Sequence, residues 1–121
     1  MACTIQWRQD GAVKYFTGEV SFEDVIKSER EITGSSTYTA LKYVISMYLN
    51  TRQFALTDCE RQEVRGLRLG GYYSNPRIKY AFVTQDLELK NRLEKSVQDG
   101  HTLHATRVFK TFSEAFTWAV T

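Results

Sequence analysis

The stretch Lys42 to Arg61, KYVISMYLNTRQFALTDCER, constrains the fold of this chain more than any other. Tyr43, Val44, Ile45, Met47, Tyr48 and Leu49 make a nearly unbroken apolar run, the pattern of a strand covered on both faces rather than one with a wet side. A polar exit follows, Asn50-Thr51-Arg52-Gln53, and then Thr57-Asp58-Cys59-Glu60. There Thr57 is placed to cap a helix and Glu60 to reach back to the cap's own N–H. A central strand leading through a loop into a capped helix is the repeating unit of an α/β sheet, and the carboxyl ends of such strands are where open sheets bind ligands.

The remaining chain supplies neighbours for that strand. Residues 3 to 8 alternate, putting Cys3, Ile5 and Trp7 on one face, and Asp10-Gly11 supplies residues tolerant of positive φ for a hairpin turn. A second strand runs from about Ala12 to Thr17. Ser21 with Asp24 forms a helix entry, Phe22, Val25, Ile26, Glu29 and Ile32 lie on a 3.6-residue stripe, and Gly34 ends that helix. The helix opened by Thr57 extends from about Asp58 to Tyr72, with Val64 and Leu67 inward and Gly70-Gly71 loosening its end. After Asn75-Pro76 comes a buried run, Ile78 to Val83. Thr84-Gln85-Asp86 then opens a helix carrying Leu89, Leu93 and Val97, closed by Asp99-Gly100. A strand over about Ala105 to Phe109 leads to a second capping box, Thr111 to Glu114, and a helix with Phe112, Ala115, Phe116 and Ala119 on one face.

The predicted order is ββαβαβαβα. It implies an α/β fold with a single-layer, mixed, mostly parallel five-stranded sheet, an antiparallel N-terminal edge strand and about four flanking helices. At 121 residues, 42% of them hydrophobic, the chain suits one domain over residues 1–121. Sixteen basic against fourteen acidic residues leave a charge of +2 and no dense basic stripe, so nucleic acid is not expected as a partner. No apolar run reaches transmembrane length, and MACTIQWRQD has neither a basic n-region nor an apolar h-region; the expectation is a soluble, cytoplasmic protein.

Chemistry-bearing patterns are sparse. Cys3 and Cys59 lie far apart with no CxxC spacing, which points to reduced thiols and no metal site. Cys59 falls in the first turn of a helix, yet with no His or second Cys near it in sequence it reads as a small hydrophobe or a bystander. His101 and His104, three apart beyond a helix end, read as ordinary loop histidines. Arg61, Arg65 and Arg68 recur at i, i+4 and i+7, with Arg52 and Arg77 as candidate neighbours, so an anionic partner has a face to dock on; Asp58, Glu60 and Glu63 cancel most of that charge. Tyr38, Tyr43, Tyr48, Tyr72, Tyr73 and Tyr80 read mostly as core, with a pocket beside Gly70-Gly71 as the alternative. No glycine-rich phosphate loop, GxSxG elbow or acid pair is present, so no catalytic residue, cofactor or enzymatic activity is expected.

The hairpin leading to the capped helix at Ser21, the central strand ending near Leu49, the helix starting near Thr57, RIKYAFVTQD and the terminal RVFKTFSEAFTWA together resemble the STAS-like domains. The likeness is to the SpoIIAA-like group, which is linked to the lipid-binding Sec14 superfamily, and it covers nearly the whole chain. It implies a non-enzymatic regulatory or adaptor domain of bacterial type. Such a domain would present the loop after the third strand and the start of the second helix to a protein partner, here Asn50, Thr51, Arg52, Thr57, Asp58 and Arg61. In regulatory members a serine in a motif resembling Asp-Ser-x-Gly accepts phosphate; the corresponding position is Thr57, although Leu56 and Cys59 stand where Asp and Gly would be. The alternative is a small or lipid-like ligand in the cleft at the carboxyl ends of the parallel strands, bounded by Arg52, Tyr73, Thr84, Gln85 and Lys110. An exposed edge strand also makes a homodimer a candidate assembly.

Overall fold

A computed structural model of the protein describes residues 3–53, 56–100 and 102–121, with the backbone alone described for Arg52 and Gln53. The elements run β1 (Cys3–Trp7), β2 (Gly11–Val20), α1 (Phe22–Thr33), β3 (Tyr43–Gln53), α2 (Asp58–Ser74), β4 (Lys79–Val83), α3 (Leu87–Gln98), β5 (Ala105–Phe109) and α4 (Phe112–Ala119). A 3-10 turn, Tyr38–Ala40, precedes β3. The sheet order is β1-β2-β3-β4-β5, with β1 antiparallel to β2 and every other pair parallel. The α/β architecture is thus the one expected from the alternation of strand and helix patterns.

Strand order dictates where the helices go. Each of the connections β2-α1-β3, β3-α2-β4 and β4-α3-β5 advances by one strand in the same direction, and a right-handed crossover then puts all three helices on one face. On that face Ala12, Val44 and Tyr80 pack with Ile32 of α1 and with Tyr38. The opposite face, with Val13, Ile45, Ala81 and Val83, is covered by α4 through Ala115 and Ala119, with Phe116 and Trp118 beside them.

Local chemistry sets the ends. Ser21 and Asp24 form a full capping box at α1, and Thr57 and Glu60 another at α2. At α4 the box is half made: the Thr111 hydroxyl accepts the Glu114 N–H at 3.2 Å and bonds that residue's own carboxylate at 2.9 Å. Gly11 is not a positive-φ turn residue; it is buried, and a Cβ there would lie 2.4 Å from the Tyr43 ring. Nor does Gly70-Gly71 loosen α2, which continues to Ser74. Gly71 lies against Tyr38, whose hydroxyl oxygen would be 2.4 Å from an added Cβ, so the glycine lets the helix approach the 3-10 turn.

The segment Asn50 to Gln53, expected as a loop, is strand. The register between β2 and β3 shifts so that Thr17 faces Leu49 and Gly18 faces Thr51, leaving Asn50 as the extra residue of a bulge. Asn50 takes φ 47° and Gly18 φ 69°. Because β4 pairs with β3 only as far as Met47, residues beyond it form a two-stranded arm with β2 that projects past the carboxyl edge of the sheet.

Candidate functional site

At the carboxyl edge, β4 leads to α3 on one face and β5 leads to α4 on the other. Adjacent strands whose connections depart to opposite faces leave a crevice between them, and this is where open α/β sheets bind ligands. Here the crevice has a volume of about 650 Å³. Its walls are Thr84, Gln85 and Asp86 after β4, Lys110 and Thr111 after β5, and Asn50 and Thr51 on the arm.

Most of these polar groups are already spent on structure. Thr84 is buried; its N–H donates to the Phe109 carbonyl at 3.1 Å, tying the two loops together, and its Oγ1 accepts the Asp86 N–H at 3.1 Å. The Asp86 carboxylate caps α3 by accepting the N–H groups of Glu88 and Leu89. Thr51 donates its hydroxyl hydrogen toward the Phe16 and Leu49 carbonyls, at 2.9 and 3.1 Å. Three side chains remain to meet a ligand: Asn50, Gln85 and Lys110, all exposed and none with a hydrogen bond or ion pair inside the molecule among the described residues. The arrangement offers two amides and one ammonium, a set suited to a polar or anionic group.

The residues expected to form one partner surface divide between two places. Asn50 and Thr51 line the crevice. Thr57, Asp58 and Arg61 sit at the start of α2, where the Thr57 hydroxyl accepts the Glu60 N–H at 3.1 Å and Asp58 pairs with Arg61. Arg61 also donates to the Leu56 carbonyl at 2.9 Å, and it faces a different cavity. The Arg52 side chain lies outside the described residues. Of the five expected cleft residues, Thr84, Gln85 and Lys110 meet, whereas Tyr73 does not. A 17-residue helix is about 25 Å long, and α2 runs back across the sheet, so Tyr73 near its end stands 77% exposed at the opposite edge.

That second cavity lies between α2, α3 and the sheet, with a volume of about 150 Å³. Val64, Phe82, Leu89 and Leu93 supply its apolar walls, Tyr48 stands between it and the crevice, and Arg61, Arg65, Arg68 and Arg92 all border it. The arginine stripe foreseen on the second helix therefore borders a half-open cleft. Arg77, before β4, is not among its lining.

Beneath the cleft is a charged group the sequence reading left on an apolar stripe. Glu29 of α1 is fully buried and meets Lys14 of β2 at 3.0 Å and Arg68 of α2 at 2.9 Å. Burial alone would raise the Glu29 carboxyl, but Arg68 and Lys14 outweigh it and hold it down at about 2. The signal was present as a lysine inside the apolar run AVKYF and a glutamate among Phe22, Val25, Ile26 and Ile32.

The histidine and cysteine expectations also need adjusting. His104 lies before β5 but is buried, its Nε2 2.8 Å from the Asn75 carbonyl oxygen and its ring against Tyr72 and Tyr80. Burial lowers its pKa. His101 lies outside the described residues. Cys3 is half-buried, Cys59 is exposed and both are free thiols, so Cys59 is no buried hydrophobe. Among the described residues no helix is long and apolar enough to cross a membrane, and no cluster of three or more His, Cys, Asp or Glu side chains is placed to hold a metal ion. Compared with protein-family models and with curated proteins, the chain matches none.

Proposed function

We propose that this chain is a small-molecule-binding domain rather than an enzyme, with its ligand in the crevice at the carboxyl edge of the sheet. The observation that carries the reading is the departure of α3 and α4 to opposite faces, which opens a groove whose uncommitted polar groups are Asn50, Gln85 and Lys110. A ligand with a carboxylate or phosphate would pair with Lys110 and accept from the two amides, while Met47 and Phe112 offer apolar contact. Native mass spectrometry of the intact protein taken gently from its cells is expected to show a bound small molecule. Lys110→Ala is expected to weaken its retention at least tenfold. Retention unchanged by both Lys110→Ala and Gln85→Ala would refute the site.

A second reading is favoured by the projecting β2-β3 arm, on which Leu49 is 42% exposed beside Asn50. In a STAS-like regulatory domain this arm and the capped start of α2 would form the surface for a protein partner, with ligand in the crevice altering what Asn50 and Thr51 present. A pull-down in which an Asn50/Arg61 double alanine variant recovers partners as well as the parent would count against it.

A further inference from the structure

We infer that the arginine-bordered cleft between α2 and α3 is a second binding site, for a small organic anion with a ring-sized apolar body, such as an aromatic or short-chain carboxylate or phosphate ester. Three independent features point to that class. The first is charge. Among the described residues, four guanidinium groups border the cavity and no carboxylate does. Three of the four have an acidic neighbour outside the lining: Asp58 for Arg61, Glu29 for Arg68, and Glu88, 3.9 Å away, for Arg92. Arg65 has no carboxylate partner among the described residues. Among the described residues, the cleft thus carries a positive charge at Arg65 that no carboxylate pairs with.

The second feature is the wall. Val64, Phe82, Leu89 and Leu93 make a low-dielectric surround, in which an ion pair is stronger than at an open surface. A planar guanidinium there matches the two oxygens of a carboxylate or phosphate. The third is size. A volume of about 150 Å³ is that of an apolar cavity able to take one benzene ring. It suits an aromatic ring or a chain of a few carbons. Tyr48, Ser96 and Thr102 border the same space and offer hydroxyls to a second oxygen of the head group.

The site is distinct from the crevice, because Tyr48 separates the two and Lys110 borders only the latter. The test is an amide chemical-shift titration of the intact protein with benzoate, hexanoate, phenyl phosphate and the neutral benzamide. At least one anion is expected to move amides of residues 64–68 and 89–93, and to bind at least fivefold more tightly than benzamide; the tighter of the carboxylate and phosphate probes identifies the head group. Arg65→Ala, at an exposed side chain, is expected to weaken binding at least tenfold. Leu93→Trp, which fills the cavity, is expected to abolish it, and Lys110→Ala to leave it unchanged. The inference is overturned if no anion moves those amides, if benzamide binds as well as the anions, if Arg65→Ala binds like the parent, or if Lys110→Ala removes the response.

Discussion

Glu29 is fully buried at the junction of α1, α2 and the sheet, and its two cations, Lys14 and Arg68, lie 15 and 39 residues away in sequence. Taking one partner away strands the others. Glu29→Gln leaves Lys14 and Arg68 without their counter-charge, and a loss of about 3–5 kcal/mol is expected in chemical denaturation. The same carboxylate sets an acid limit. Its folded-state pKa, about 2, lies below its ordinary 4.5. The stability it contributes, roughly 3 kcal/mol, is therefore fully present above pH 4.5 and lost as pH falls toward 2. His104, whose pKa is lowered by burial, acts in the same direction at milder acidity, since the unfolded chain takes up its proton first. Denaturation midpoints measured between pH 7 and pH 2 should fall for the parent, and the part of that fall below pH 4.5 should be smaller in Glu29→Gln.

At the scale of elements, the residues that cap helices act locally, which is why they were readable. Ser21 with Asp24, Thr57 with Glu60 and Asp86 each satisfy backbone N–H groups within three residues of themselves. Thr57→Ala is expected to cost about 1 kcal/mol in equilibrium unfolding and to leave ligand binding in the crevice unchanged, because its hydroxyl is spent on Glu60. The arm beyond Met47 was not readable for the opposite reason. Asn50, Thr51, Arg52 and Gln53 have the composition of a loop, and what makes them strand is pairing with Gly18 to Val20, more than thirty residues earlier. The partition of Arg61 from Asn50 was hidden likewise, since sequence neighbours on either side of a strand-to-helix connection can face different cavities.

For the whole molecule, alternating strands and helices gave the parallel sheet, and the sequential strand order with right-handed crossovers then fixes three helices on one face and α4 alone on the other. Which crevice this opens depends on α4 crossing to the second face, a choice made by packing rather than by any local motif. Trp118 helps hold it there: its ring lies against Phe109, the Lys79 ammonium is 5.3 Å and the Arg107 guanidinium 5.4 Å from its centre, and Lys79 donates to its carbonyl at 3.2 Å. Trp118→Ala is expected to cost roughly 2–3 kcal/mol, read as a lowered thermal midpoint, with the loss centred on β4 and β5 in hydrogen exchange.

The lopsided cover has a consequence in time. Ribosomes deliver a chain from its amino end, so α4 is synthesised after every strand it covers. Without the eight residues of α4, Val13, Ile45, Ala81 and Val83 would present a bare apolar plane. A chain in which α4 has not yet docked would favour adhesion through that plane, and a holdase that shields flat sheet surfaces is expected to bind it.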